Sequence, residues 1–122
     1  MIQVRDLRKT FVTPAAEVQA LRGVDLDVQR GDIFGIVGFS GSGKSTLLRC
    51  INRLERPDAG VVRIEGQDVT ALDRKALASV RQKVGMIFQH FHLLDSRTVH
   101  DNIAYPLEIA GVERARIERR VL

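Results

Sequence analysis

The segment from Gly38 to Ser45 constrains the fold more than any other part of this 122-residue chain. Its sequence, GFSGSGKS, fits the pattern G-x-x-x-x-G-K-[ST]. The apolar run before it, Ile33 to Val37, predicts a strand buried on both faces, as in a parallel sheet. The residues from Ser45 to about Leu54 predict a helix. A strand, a glycine-rich loop and a helix in this order are typical of an α/β fold with an anion-binding loop.

Each residue type in this loop has a physical reason to face a chain of phosphates. Glycines adopt backbone angles closed to other residues, so successive N–H groups point inward, and the helix N-terminus adds partial positive charge. Lys44 supplies a full charge to the β- and γ-phosphates, and the Ser45 hydroxyl suits magnesium. The residues predicted to bind the nucleotide here are Gly38, Phe39, Ser40, Gly41, Ser42, Gly43, Lys44, Ser45 and Thr46.

The alternative interpretation is a glycine-rich turn that precedes a helix and binds nothing. Lys44 argues against it, because an ammonium at a helix N-terminus opposes the helix dipole unless an anion is present. The motif therefore predicts phosphate binding, with ATP and magnesium as the expected ligands. By itself it does not choose among an ATPase, a GTPase and a kinase.

The remaining elements follow from periodicity and turn signals. Alternating or apolar runs predict strands, and helical periodicity predicts helices. Thr70, with Asp73 three residues later, predicts a capped helix start. The predicted strands are Ile2 to Arg5, Val24 to Val28, Val61 to Glu65 and Val84 to Phe88. The predicted helices are Thr70 to about Gln82, Thr98 to Ala110 and Glu113 to Leu122.

Composition narrows the class of protein. Apolar residues make up 44% and charged residues 28% of the chain, a balance typical of one modest globular domain. The net charge of +4 comes mostly from scattered arginines, so we expect no nucleic-acid partner. Cys50 is the only cysteine, and it lies in an apolar helical stretch, where a small buried residue is expected rather than a reactive thiol. A single cysteine also favours a reducing cytoplasm.

Three features resemble the ATPase subunits of ABC transporters. The first is the segment FGIVGFSGSGKSTLLR, and the second is the position of Gln89 directly after the predicted strand that ends at Phe88. The third is the whole stretch GMIFQHF around that glutamine, followed by LL and SRTV. Together with RCIN and LERP, they look like the ATP-binding subunit of methionine-uptake importers. The resemblance covers essentially the whole chain. It implies an α/β P-loop NTPase core with an N-terminal antiparallel β subdomain. Other amino-acid importers share much of the pattern, so they remain the alternative.

The resemblance also implies roles for single residues. Phe11 falls where the family places an aromatic that stacks on adenine, although an ordinary core phenylalanine explains it equally well. Gln89 would contact the magnesium and the attacking water, as a catalytic residue beside Lys44, and would share the metal with Ser45. The segment His90 to Leu94 would face the membrane-spanning subunit. A metal site could be read from three histidines, His90, His92 and His100, but no cysteine or carboxylate at ligand spacing completes a tetrahedral set.

Other marks of the family are missing from residues 1–122: an acidic strand end, the LSGGQ signature and a switch histidine. The chain also stops in mid-helix, so we expect residues 1–122 to be the N-terminal portion of one nucleotide-binding domain. We expect this portion alone to bind nucleotide without turnover. Because the strands that would flank Ile33 to Val37 are expected outside it, we also expect poor solubility.

The resemblance finally implies partners and a location. The expected partners are membrane-spanning permease subunits, a second copy of the ATPase subunit and, indirectly, a substrate-binding protein. The expected location is the cytoplasmic face of the cell membrane, held there as a peripheral subunit.

Overall fold

A four-stranded antiparallel sheet forms the largest regular structure in the computed structural model, which describes residues 1–90 and 92–121. Its strands are β1 (Ile2–Val12), β2 (Glu17–Val28), β3 (Ala59–Ile64) and β4 (Gln67–Asp68). Their order across the sheet is β2-β1-β3-β4, and every neighbouring pair is antiparallel. Of the predicted strands, Ile2 to Arg5 lies within β1, Val24 to Val28 lies within β2, and Val61 to Glu65 overlaps β3. The two-residue β4 has no counterpart among the predicted strands.

Four helices complete the described chain, which divides into two compact units. The first unit, Met1–Val84, contains the sheet with α1 (Lys44–Ile51) and α2 (Arg74–Arg81). The second unit begins at Gly85 and contains α3 (Val99–Ile109) and α4 (Arg114–Val121). No helix in the described ranges has the length and apolar character that a bilayer span requires.

The hydrophobic core of the first unit lies between the sheet and its helices. Val4 and Leu7 are both fully buried, although residues three apart in a regular strand face opposite sides. The pairing of β1 with β2 is irregular between them, and Asp6 has a φ of 44°, so the strand turns both side chains inward. The core consists of Val4, Leu7, Leu21, Leu47, Cys50, Ile51, Val62, Val69 and Val80.

Asp73 begins the second helix, so the predicted start at Thr70 is wrong. The Asp73 carboxylate accepts a hydrogen bond from the Ala76 amide at 2.8 Å, as an N-cap residue does. Thr70 is engaged elsewhere, because its amide and its hydroxyl both donate to the Asp68 carboxylate. A local side-chain bond of this kind competes with helix initiation.

The two apolar strands predicted directly before the glycine-rich loop and at Val84 to Phe88 are also wrong. Neither Ile33 to Val37 nor Val84 to Phe88 joins a sheet, and Ile33, Val37 and Ile87 are almost fully exposed. Hydropathy indicates a tendency to be buried, whereas a strand exists only where a neighbour accepts and donates its backbone hydrogen bonds. Within the described ranges, no segment pairs with either run.

Candidate functional site

In the loop between Gly38 and α1, residues with a left-handed backbone conformation alternate with residues that lack it. Gly41 and Gly43 have φ values of 79° and 90°, in the left-handed region, and Ser42 between them does not. The Ser42 amide donates to the Phe39 carbonyl at 3.2 Å and closes a tight turn. Alternation of this kind directs successive backbone N–H groups to one concave side, which makes an anion-binding nest.

The loop is held against the sheet through Gly43. A Cβ atom on this residue would lie 2.4 Å from the Ala20 carbonyl oxygen, closer than non-bonded atoms come. The pairing of β1 with β2 passes from Thr10 opposite Gln19 to Lys9 opposite Leu21, which leaves Ala20 as an extra residue. The bulge in β2 therefore provides the surface on which the loop rests.

The Lys44 ammonium is hydrogen-bonded to carbonyl oxygens of the loop itself. Its Nζ donates to the carbonyls of Gly38 at 2.8 Å and Phe39 at 2.7 Å, and lies 3.4 Å from Ser42 Oγ. These oxygens stabilise an ammonium that the helix dipole would otherwise disfavour. The lysine is therefore fixed within the loop with its positive charge beside the nest.

The first turn of α1 leaves donors for a ligand. Its first hydrogen bond runs from the Leu47 amide to the Gly43 carbonyl at 2.8 Å, so the three amides before it have no partner inside the helix. Gly43 is the N-cap residue, and it makes no side-chain cap. The Ser45 hydroxyl is on an exposed residue of this turn, and Thr46 follows it half-buried. This end of the helix offers amides, hydroxyls and partial positive charge to an anion.

A cleft of about 560 Å³ lies beside the loop. Its other wall is β2, which contributes residues from Gln19 to Arg22, and Ile36 and Val37 also line it. Arg22 adds a second cation to this wall, and its Nε donates to the Gln19 carbonyl at 3.4 Å. Arg22 is not among the predicted site residues, because it lies outside the predicted strand Val24 to Val28 and belongs to no motif.

Phe11 is not a core residue, so the ordinary-core interpretation is excluded. The side chain is 38% exposed near the end of β1, and it lies opposite Val18 of β2. Residues directly opposite each other share one face of a sheet, so exposed Val18 extends the apolar surface around the ring. Val18 lies two residues before Ala20, which contacts the loop, and two strand residues span about 7 Å. The ring is therefore a short distance along β2 from the cleft.

Gln89 belongs to the second unit, whereas Ser45 and Lys44 belong to the first. It is exposed in a bend that follows the extended run 84–88. Its contact with a magnesium ion shared with Ser45, and its catalytic role, stay predictions.

The histidine-rich segment contains exposed apolar side chains. Leu93 and Leu94 are exposed, as the docking interpretation requires, while Phe91 lies outside the described residues. His92 Nδ1 lies 2.6 Å from the His90 carbonyl oxygen, so this ring is held by its own loop. In the described part of the chain, no group of three or more histidine, cysteine, aspartate or glutamate side chains is arranged to hold a metal.

Cys50 is a buried structural residue, as predicted. It lies on the core-facing side of α1 and is fully buried. Burial, reinforced by the charge of Glu55, raises the pKa of its thiol to about 11. The thiol therefore stays protonated and unreactive at neutral pH.

A family model described as ABC transporter matches residues 21–121. The chain belongs to the ABC transporter family. Its curated relatives include the methionine import ATP-binding protein MetN of Thermobifida fusca (strain YX), which is 57% identical over 121 residues. The corresponding protein of Desulfitobacterium hafniense (strain Y51) is 55% identical over 121 residues. Both matches cover 99% of this chain, with 38% of the first relative and 36% of the second.

Solved ABC transporter cassettes share the fold. The dimeric cassette MJ0796, in a post-hydrolysis state bound to ADP and Pi, matches with a TM-score of 0.91 at 31% identity, covering 99% of this chain and 54% of that chain. A second dimeric structure of MJ0796 matches with a TM-score of 0.92 at 32% identity, covering 98% of this chain and 53% of that chain. The predicted fold, an ABC ATPase core with an N-terminal antiparallel subdomain, is confirmed. This ABC family chain spans about a third of the curated relatives and about half of the solved cassettes.

Proposed function

We propose that the chain is the N-terminal portion of the nucleotide-binding domain of an ABC importer, whose ATP binding and hydrolysis drive uptake of methionine or a related amino acid. The observation that carries the proposal is the loop of Gly38 to Thr46, where left-handed Gly41 and Gly43, the first amides of α1 and the Lys44 ammonium held by the Gly38 and Phe39 carbonyls come together. Several donors and a full positive charge in so small a space suit a polyphosphate and suit a neutral ligand poorly.

Phe11 is proposed to bind the adenine base. Its exposed ring and Val18 beside it form an apolar platform, and β2 connects that platform to the phosphate loop. An aromatic face favours a flat base through stacking and does not depend on hydrogen bonds to its edge. A nucleotide bound in this way would lie along β2, with its base on Phe11 and its phosphates at Lys44.

The donor set also suits magnesium carried in by the nucleotide. Ser45 is an exposed residue of the first turn of α1 and offers one hydroxyl oxygen, and Mg²⁺ is usually held by few protein ligands together with waters and substrate phosphates. When bound, the ion would neutralise the charge that develops on the phosphate oxygens. In this proposal Lys44 holds the β- and γ-phosphates, and Gln89 orients the attacking water.

The proposed partners follow from the resemblance to ABC importer ATPases, and the proposed dimer also from the dimeric MJ0796 structures. The full-length protein would dimerise, as MJ0796 does, and would act with permease subunits and, through them, a substrate-binding protein at the cytoplasmic face of the membrane. Methionine is the proposed substrate because the relatives at 55% and 57% identity are methionine import proteins. The alternative proposals are another amino-acid importer and a nucleotide-binding fragment without turnover.

A paired measurement tests the proposal. Mg-ATP binding and phosphate release would be measured for residues 1–122 and for the full-length gene product. We expect binding by both and phosphate release only by the full-length product, since turnover needs more charged groups than this portion contains. Absence of binding in both would refute the proposal. ATP-dependent uptake of labelled methionine by the reconstituted complex, in competition with other amino acids, would separate methionine from the alternative substrates.

A further inference from the structure

Lys9 holds a fixed cation over the ring of Phe11. Its Nζ lies 5.2 Å from the ring centroid and over the ring. The same ammonium is 3.0 Å from Glu55 Oε1 and 3.4 Å from Asp58 Oδ1, and it donates to the Arg56 carbonyl at 2.9 Å. The lysine side chain is only 12% exposed, whereas lysine is among the residues most often left in solvent. These contacts hold the cation in one place.

The turn that carries these acceptors is itself bonded to β1. The Thr10 amide donates to Asp58 Oδ2 at 2.6 Å, and the Asp58 amide donates to the Arg8 carbonyl at 2.9 Å. Backbone atoms on both sides of Lys9 are thus tied to the turn. The hydrogen bond to Glu55 raises the pKa of Lys9, so the ammonium stays charged at neutral pH.

We propose that Lys9 is a positioning residue for the adenine base: its ammonium, anchored by Glu55 and Asp58, covers part of the Phe11 ring and fixes the surface that remains for the base. The inference rests on the proposed function, in which Phe11 stacks on adenine. A ring already held by a cation loses less side-chain freedom when a base stacks on it. The attraction between the ammonium and the ring supplies the restraint.

Isothermal titration of the full-length gene product with Mg-ATP and with magnesium tripolyphosphate tests this role. In the proposed function, tripolyphosphate would occupy the phosphate loop but has no base. Lys9→Met removes the charge and keeps the chain length, Lys9→Arg keeps a cation, and Lys75→Met removes an exposed lysine of α2 as the matched control. We expect Lys9→Met to raise the Kd for Mg-ATP about three- to tenfold and to leave that for tripolyphosphate within about twofold. Lys9→Arg should retain most of the affinity, and Lys75→Met should change neither.

A double-mutant cycle then separates a role through Phe11 from a general loosening of the fold. In a Phe11→Ala background, we expect Lys9→Met to have no further effect on the Kd for Mg-ATP. If Lys9→Met does not fold, Lys9→Gln, which keeps a donor towards the Arg56 carbonyl, replaces it with the same expectations.

The outcomes distinguish this inference from the proposed function. Unchanged Mg-ATP affinity in Lys9→Met, an equal loss for tripolyphosphate, or an undiminished effect in the Phe11→Ala background would each overturn the role of Lys9 alone. Failure of the wild-type protein to bind either ligand would refute the proposed function. Full Mg-ATP affinity in Phe11→Ala would refute the base site, and the role of Lys9 with it.

Discussion

Gly43 lies against the backbone of Ala20, and a Cβ atom at Gly43 would be 2.4 Å from the Ala20 carbonyl oxygen. Gly43 also has a φ of 90°, which side chains other than glycine rarely allow. Two independent requirements therefore select glycine at the N-cap of α1. Through the contact with Ala20, the shape of the phosphate loop depends on the bulge in β2.

We predict that Gly43→Ala lowers the free energy of unfolding by about 2–4 kcal/mol, because left-handed strain and a backbone clash act together. Gly31→Ala is the matched control, since Gly31 has a φ of 89° and a Cβ atom there would have no described atom within 4 Å. It should cost about 1 kcal/mol, from strain alone. Urea denaturation of both variants measures the difference. Equal losses would mean that the contact with Ala20 does not constrain the loop.

The cap of α2 gives a second prediction. Asp73→Ala removes the acceptor of the Ala76 amide and should lower the free energy of unfolding by about 1 kcal/mol. Asp73→Asn keeps an acceptor of the same shape and should lower it by less. Thermal or urea unfolding of the wild type and of both variants measures these losses. If Asp73→Ala were neutral, the assignment of the helix start to Asp73 would be wrong.

Cys50 should be protected from thiol reagents in the folded protein. It is fully buried, and burial raises its pKa to about 11, so little thiolate forms at pH 8. We expect no reaction with a disulfide reagent under native conditions and one equivalent of reaction in urea. Because the folded pKa lies above the unfolded value, this thiol contributes stability below the unfolded pKa, and the contribution declines as the pH rises from about 8.5 towards 11. Rapid labelling of the native protein would contradict the buried position.

Asp58 should make stability sensitive to acid. The Thr10 amide, with Lys9 in support, lowers the pKa of the Asp58 carboxyl. A lowered folded pKa gives stability that is present above the unfolded value and is lost as the pH falls through the folded pKa, so the loss should begin near pH 4. Asp58→Asn should be less stable than the wild type at pH 7, and the gap should narrow at low pH. A gap that does not change with pH would contradict the carboxylate's role.

Local chemistry explains which parts of the fold could be predicted from the sequence. The loop at Gly38 to Ser45 follows from a motif that acts within a few residues, and α3 begins after Thr98, as predicted, with the Thr98 hydroxyl accepting from the Asp101 amide. The high hydropathy of the runs Ile33 to Val37 and Val84 to Phe88 predicts strands, yet a strand depends on a partner that the pattern of the run itself cannot reveal. The predicted first strand is shorter than β1, because the irregular pairing near Asp6 interrupts the alternation of apolar and polar residues.

The same distinction applies to the site. The pattern of residue types predicts the loop and places Lys44 and Ser45 within it. The contact between Gly43 and Ala20 depends on the register of β2 against β1, and the position of the Lys9 ammonium depends on the turn 55–58. Each of these contacts joins residues that are far apart along the chain, so no local pattern predicts them.

Titration of the full-length gene product and its Lys44→Ala variant with Mg-ATP tests the central claim most directly. Lys44 is the cation that the carbonyls of Gly38 and Phe39 hold beside the loop amides, so its removal takes the full charge from the phosphate site. We predict that the Kd rises about 10- to 100-fold, the effect of losing charge-assisted hydrogen bonds, while Lys75→Ala leaves it unchanged. Undiminished affinity in Lys44→Ala would contradict the assignment of this loop as the phosphate site.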